Sequence, residues 1–397
     1  CAVQARSENP RLNHEVTVED AIKALYIELS NYDFTVDDEL VDLGMVGVDP
    51  IEYMKAIGVY TGENGEQALD GMCSYEQACV MATRLITLLY NALDAASKGV
   101  LWEVNNGDNK VYLLGSIHYA STDSYPFSQT MYNAFGQADA LVLESDGYDT
   151  EGIMAAIPLL YYADGSTLKD HISPELYEMV VALYAEYGVP EENVLMVKPW
   201  GAAMDFANFA ISDGEEITKS LGVDSHFNTL AYLYGKPVYQ IEGSYNQFLM
   251  FESFSPELQD WFLFESIISL LVSKEGIADE LEIKSAKENA SDMLQYWHDG
   301  DIEKLLGEFT SSDEMEIDEE LLESLELDME LTNELKAEFQ EKFWTQRDRN
   351  MADYIDQLLQ QEGSNTYFVI VGSGHYLSDY SVLDMLEEMG YEFEQIK

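Results

Sequence analysis

Basic residues are scarce in this chain: 20 Lys and Arg stand against 75 Asp and Glu in 397 residues, a formal net charge of −55. A surface this anionic repels phosphate backbones and anionic lipid, which excludes nucleic acid as a partner, and it concentrates cations. Cysteine is almost absent. Cys73 and Cys79 are too few and too poorly spaced for a zinc site, which would want four nitrogen or sulfur ligands. There is no apolar run of about 18 residues, so no membrane-spanning helix is expected. No Asp-x-Asp-x-Asp-Gly loop with a closing Glu occurs, so the acidity reads as solubility in a salty or extracellular setting, not calcium binding. Neither a repeat of solenoid period nor a Gly-x-Ser-x-Gly elbow is found, and a serine nucleophile has no support.

What is present is a folding chain, 47% hydrophobic and 12% aromatic, with room for two domains. Residues 1–14 read as a flexible leader. The chain starts at Cys1 and continues into a polar tether, the look of a processed bacterial lipoprotein; an arbitrary chain boundary is the alternative. On the first reading the protein is lipid-anchored through Cys1 on the extracellular side of the cytoplasmic membrane, and otherwise secreted. Residues 15–97 form a small helical module. Thr17 caps its first helix with Asp20 as the capping-box carboxylate, a second helix covers Pro50 to Ala56, and a glycine-bounded turn runs from Gly58 to Gly65. Ser74 and Gln77 then make a capping box ahead of Ala78, Val80, Met81, Leu85, Ile86 and Leu89, with Cys79 as a small core residue.

Residues 98–397 read as an α/β domain: a mixed β-sheet flanked by helices, with a large helical middle section. Leu101 to Val104 and Val111 to Leu114 are paired strands, 126–139 is a helix, and a strand runs to Glu144. Helices are expected at Pro174 to Tyr187, Trp200 to Ala210, Asp224 to Tyr234 and Leu258 to Lys274, interrupted by a strand ending at Glu242. Asp313 to Phe343 is very acidic, yet Leu321, Leu322, Leu325, Leu335 and Phe339 mark an apolar stripe, as on a solvated helix. A helix at Trp344 to Gln360, a strand to Val371 and a helix at Tyr380 to Met389 complete the chain.

Two of these strands end alike. Val111-Tyr112-Leu113-Leu114 runs into Gly115-Ser116-Ile117-His118, and Tyr367-Phe368-Val369-Ile370-Val371 runs into Gly372-Ser373-Gly374-His375. Two more end in a carboxylate, at Glu144 and Glu242. Open α/β sheets collect ligands outside the carboxyl ends of their strands, and glycine there lets backbone turn sharply or approach closely. Glu144 follows His118 by one βαβ step, so the two should leave neighbouring strands. Two imidazoles and a carboxylate at one edge would hold a divalent ion such as Zn, Mn, Co or Fe, with positions left open. Taken singly, each has a plainer explanation: a histidine bonding a carbonyl, Glu144 pairing with Arg349, or Asp224 capping a helix.

Residues 98–397 resemble the TraB/GumN family, related to TIKI-type metalloproteases and more distantly to erythromycin-esterase-like proteins. The resemblance rests on Leu101-Trp102-Glu103-Val104, on both Gly-x-x-His segments, and on Ala138 to Glu144. It extends to Gly222-Val223-Asp224, Gly235-Lys236-Pro237-Val238, Ile241-Glu242 with Gln247, and Arg349-Asn350-Met351-Ala352. It implies a hydrolase whose metal ligands are His118, Glu144 and His375. Glu242 and Arg349 match further family positions; their chemistry alone suggests that Glu242 moves protons and Arg349 steadies the oxyanion, with a salt bridge between them as the alternative, Asn350 orienting a neighbour, and Gly115 and Gly372 giving support. Separately, Ala56 to Gly62 and Ser74 to Leu85 resemble one S-layer homology unit, which implies a weak contact with cell-wall polymer or a packing appendage.

The leading expectation is therefore a metal-dependent, peptidase-like hydrolase acting on a peptide or small molecule at the bacterial surface. The alternatives are an envelope lipoprotein that captures a peptide or pheromone without cleaving it, and a metal-free esterase using His118 as base.

Overall fold

The computed structural model describes residues 16–36, 39–62, 69–212, 217–275, 284–311, 333–378 and 380–396. Cys1 and the leader lie outside the described residues, as do Leu321, Leu322 and Leu325 of the acidic stretch. The described residues form two compact units: one runs to Ala96 and includes Pro126–Gln129, and the other comprises Ser97–Tyr125 and Thr130 onward. No described helix is long and apolar enough to cross a membrane.

The N-terminal unit holds helices Val18–Ser30, Pro50–Ala56 and Tyr75–Ala92, and a two-residue pairing of β1 (Thr35–Val36) with β2 (Glu39–Leu40). Its caps are those the sequence specifies. Thr17 Oγ1 accepts from the Asp20 amide at 3.1 Å, and Ser74 and Gln77 exchange both capping-box bonds. Each cap satisfies an amide that the helix leaves orphaned, a contribution of about 1 kcal/mol. Val18, Ile22, Ile51, Met54, Val59 and Met81 form the core. Cys79 is only partly buried, because the helix turns Met81 inward and leaves Cys79 on its flank.

The second unit is built on one six-stranded sheet. In chain order its strands are β3 (Val100–Asn106), β4 (Asn109–Ser116), β5 (Ala140–Leu143), β6 (Val238–Gln240), β7 (Thr366–Gly372) and β8 (Phe393–Gln395), lying side by side as β6-β5-β7-β4-β3-β8. β6, β5, β7 and β4 run parallel, and β3 and β8 complete the sheet in antiparallel pairing. The central strands are near-continuous apolar runs because both of their faces are covered: all of β5 is buried, and so are the five residues from Tyr367 to Val371 of β7. β8 carries no strong sequence pattern and is an addition to the expected strands.

The register corrects one expectation. The strands leading to His118 and Glu144 are not neighbours, because β7, the last parallel strand in the chain, inserts between them. Ser116 pairs with Gly372 and Leu143 with Ile370, so the ends of β4, β7 and β5 are level. The insertion places the strand that leads to His375 between those that lead to Glu144 and His118.

Helix Val223–Tyr234 is fixed to the sheet by aromatic packing. Phe227 lies 5.2 Å from both Phe135 and Phe368, ring centre to ring centre, and each buried ring stabilises by about 2–3 kcal/mol. The helical middle section has its own core, in which Pro199–Ser212 and Pro256–Glu275 join through Phe206, Leu263, Phe264 and Ile267. Leu335 and Phe339 continue the predicted apolar stripe and pack beside Phe254, Leu258 and Trp261.

His226, on the same helix as Phe227, is enclosed by the rings of Tyr125, Tyr132 and Phe227, and burial lowers its pKa to about 4. An unfolded histidine titrates near 6.5. The folded state therefore favours the neutral ring: the contribution is complete above pH 6.5 and is lost as pH falls towards 4. Urea unfolding at pH 7 and pH 4.5 should show the wild type losing about 2 kcal/mol more than His226→Phe over that interval. Equal losses would show that the ring is not held neutral.

Candidate active site

Four parallel strands deliver the four candidate side chains at one end of the sheet. Glu242 follows β6, Glu144 follows β5, His375 lies just beyond β7 and His118 just beyond β4.

Each histidine is held by a carboxylate from a helix. His118 Nδ1 lies 3.1 Å from Asp224 Oδ1, and His375 Nδ1 lies 2.5 Å from Asp348 Oδ1. A carboxylate accepts, so each Nδ1 donates its proton there, and each Nε2 is the nitrogen that can offer a lone pair once the ring is neutral. Asp224 is thus no helix cap; Gly222 occupies the cap position and Asp224 faces the histidine. Burial in the cleft opposes charge on His118, but Asp224 and Glu144 outweigh it and push its pKa up to about 9. About half of the His118 side chain (51%) remains open to the cleft, against 6% for His375.

The carboxylates share one cation. Glu144 Oε1 accepts from the Gly372 amide at 2.6 Å, and its Oε2 accepts from Arg347 Nη2 at 2.8 Å. Arg347 also donates to Glu242 through Nε at 2.8 Å and Nη2 at 2.9 Å, while Gln247 Nε2 donates to both glutamates, at 3.3 and 3.1 Å. Burial works against charge on Glu144. His375, Arg347 and His118 overcome it, bringing the carboxyl down to about 2. Glu242, with both oxygens engaged, is the counter-ion of Arg347.

The structure brings His118, Glu144, His375 and Glu242 together but leaves Arg349 apart. Arg349 is exposed and pairs with Glu341 at 3.0 Å, and Asn350 beside it is exposed as well. Arg347, not Arg349, meets the glutamates. In helix Gln346–Leu359 the buried residues are Arg347, Asp348, Met351, Ala352, Ile355, Leu358 and Leu359, so positions 349 and 350 fall on the outer face. A π-helical segment, Gln340–Thr345, precedes this helix. Sequence reasoning misses Arg347 and Asp348 although a signal exists: the stripe through Met351 and Ala352, projected back one turn, lands on them.

The motif glycines are needed for close approach. A Cβ on Gly115 would lie 2.6 Å from Val100 Cγ2 and 2.8 Å from Ser373 Oγ. Gly115 sits inside β4 rather than at a bend. A Cβ on Gly372, by contrast, would stand 3.5 Å from Glu144 Oε1, 3.6 Å from His118 Nε2 and 3.7 Å from His375 Cδ2. That point marks where the two imidazoles and the carboxylate converge. Among the described residues, however, no three His, Cys, Asp or Glu side chains are already gathered as a metal-binding group.

The converged groups open into a cleft of about 420 Å³ walled by Met204, Phe248, Phe251, Met293 and Trp344, and into an adjoining space of about 290 Å³ that reaches Lys219, Asp224 and Ser225. The buried hydroxyls of Ser116 and Ser373, which also line the cleft, have no hydrogen-bond partner among the described residues. They are natural seats for ordered water.

Metalloprotease TIKI1 of Danio rerio is 23% identical over 320 residues, covering 74% of this chain and 62% of the relative. The Escherichia coli (strain K12) protein YbaP, itself uncharacterised, is 28% identical over 145 residues, 36% of this chain and 52% of its own length. A metalloprotease TIKI homolog of Nematostella vectensis is 24% identical over 107 residues, covering 27% of this chain and 22% of the relative. The chain thus spans less than two thirds of each of these relatives. No solved structure matches it significantly. Residues 100–395 match the TraB/PrgY/gumN family, and the chain belongs to that family.

Proposed function

We propose that the protein is a metal-dependent hydrolase of peptide bonds, with His118, Glu144 and His375 as the metal ligands. The observation that carries this reading is the convergence of those three side chains around Gly372, with both histidines fixed through Nδ1 by an aspartate. A carboxylate–histidine pair of this kind sets the tautomer and raises the basicity of the free nitrogen, the usual support of a metal-ligating histidine. The donor set of two imidazoles and one carboxylate suits Zn, Mn, Co or Fe. A divalent ion there would polarise a carbonyl and bring water to its nucleophilic form near neutral pH.

The remaining roles belong to side chains. Arg347, fixed by Glu144 and Glu242, lines the cleft as the cation that meets negative charge on a carbonyl oxygen. Glu242 and Gln247 hold that guanidinium in place. The phenyl rings of Phe248 and Phe251 exclude water from the far side of the cleft.

Elemental analysis of purified protein tests the ligand set. The wild type should carry about one divalent ion per chain, and His118→Ala and His375→Ala should each lose most of it. Asp224→Asn and Asp348→Asn should weaken retention by about 10–100-fold. Equal metal content in all these proteins would remove the reading.

A second reading is favoured by the His118–Asp224 pair, whose imidazole is half open to the cleft. His118 would then act without metal as the proton-transfer group, oriented by Asp224. Hydrolysis that survives a chelator selects it, and peptide binding without products would select capture over either enzyme.

A further inference from the structure

The cleft has two chemically different halves that meet at His118, Glu144 and Gln247. One is walled by aromatic and thioether side chains. The other is polar and ends at Lys219, Asp224 and Ser225.

Lys219 stands out in a chain with only 20 basic residues. Its neighbours in kind are paired: Lys198 with Glu252 at 2.6 Å, Lys342 with Glu338 at 2.8 Å, and Arg347 with two glutamates. Lys219 is exposed to the cleft, its Nζ 5.2 Å from the centre of the Tyr119 ring, and no carboxylate among the described residues lies within ion-pair distance of it. The acids that share its half are already engaged, Asp224 by His118 and Glu144 by Arg347. The polar half therefore presents one cation that Asp224 and Asp205 reach only at a distance, with no ion-pair partner among the described residues, beside the converged histidines and against an aromatic ring. That is the chemistry of an anion receptor.

Resting on the peptidase reading above, we propose that Lys219 anchors the terminal carboxylate of a short peptide, making the protein a carboxypeptidase. The last residue of the peptide lies in the polar half, and the scissile bond lies at His118 and Glu144. The side chain before that bond enters the space between Phe248 and Phe251. In the reaction the oxygen of water joins the acyl carbon, the C–N bond breaks, and a proton from that water goes to the departing amine. No oxidant or reductant is needed.

Binding decides the matter without depending on turnover. The probes are two forms of N-acetyl-phenylalanyl-alanine in which CH2–NH replaces the scissile amide, one with a free carboxylate and one with a terminal amide. Each is titrated calorimetrically into the full chain. The free acid should bind wild type about tenfold more tightly than the amide, the strength of one charge-assisted contact. Lys219→Met should bring the acid down to the level of the amide, and Lys219→Arg should keep most of the preference. Equal binding of acid and amide to wild type, an equal loss of both in Lys219→Met, or no binding of either overturns the proposal. Cleavage of ordinary N-acetyl-phenylalanyl-alanine is scored separately. A wild-type preference for the acid that Lys219→Met abolishes, without any product, upholds the carboxylate anchor and removes hydrolysis.

Discussion

Arg347→Met should destabilise the protein by about 3–5 kcal/mol, whereas Arg349→Met, two residues away, should cost less than about 1 kcal/mol. The difference follows from surroundings. The side chains of Arg347, Glu144 and Glu242 are only 10%, 8% and 9% exposed, so removing the cation strands two carboxylates out of water. Gln247 and the Gly372 amide remain as donors, but neither carries charge. Arg349 and Glu341 are 55% and 53% exposed, and water replaces that pair at little cost. The sign of the pH dependence is a second check. In the wild type Glu144 titrates at about 2, below the usual range of a free glutamate, so its contribution is present above pH 4.5 and lost as pH falls towards 2. Without Arg347, Glu144 holds its proton more readily, and the gap between variant and wild type should shrink as the pH is lowered from 7 to 4. Urea unfolding of both variants measures this. A second change, Glu242→Gln, should restore part of the loss in Arg347→Met by removing one stranded charge. If Arg349→Met proved as costly as Arg347→Met, the assignment of the buried cation would be wrong.

Much of this site is legible in the chain because its strands advertise themselves. A buried parallel strand must be apolar along its whole length, and the residue at which that run stops marks the sheet edge. This is why His118, Glu144, Glu242 and His375 stand out from the sequence alone. Strand order does not, since nothing local in Val142 or Val369 says which strand lies beside which; pairing is decided by long crossovers. The helical contributors are obscured differently. Arg349 draws attention as part of a family motif, although the apolar phase of its helix turns Arg347 and Asp348 inward. Asp348 and Lys219 belong to the site only through contacts with residues elsewhere in the chain, His375 in the first case and the cleft around His118 in the second. β8 has three residues, too few for alternation to register. Gly115 reads as a bend in the chain but serves close approach instead, and only knowing what faces it tells the two apart.

The same lesson makes Gly222 the most sensitive glycine near the site. A Cβ there would lie 2.2 Å from the carbonyl oxygen of His118 and 2.8 Å from its carbonyl carbon, both backbone atoms that no rotamer change can move. The approach is functional as well as tight, because the Val223 amide donates to Ile117 O at 3.2 Å and Asp224, one residue on, reaches the His118 ring. Gly222→Ala must therefore push helix Val223–Tyr234 away from the segment after β4. That helix cannot yield freely, since Phe227 is wedged between Phe135 and Phe368. The expected cost is about 3 kcal/mol, at the upper end for an overpacked site, together with loss of the His118–Asp224 bond. Gly235→Ala is the matched control at the other end of the same helix. Gly235 has φ +65°, and no described residue lies within 4 Å of the point an added methyl would occupy, so alanine meets only backbone strain, about 1 kcal/mol. Thermal unfolding separates the two, and an NMR titration of the His118 ring reports whether Asp224 still holds it. With Asp224 drawn away, the His118 pKa should fall from about 9 in Gly222→Ala and stay there in Gly235→Ala. Equal costs for both substitutions, or an unmoved His118 titration in Gly222→Ala, would mean that this contact does not position the site.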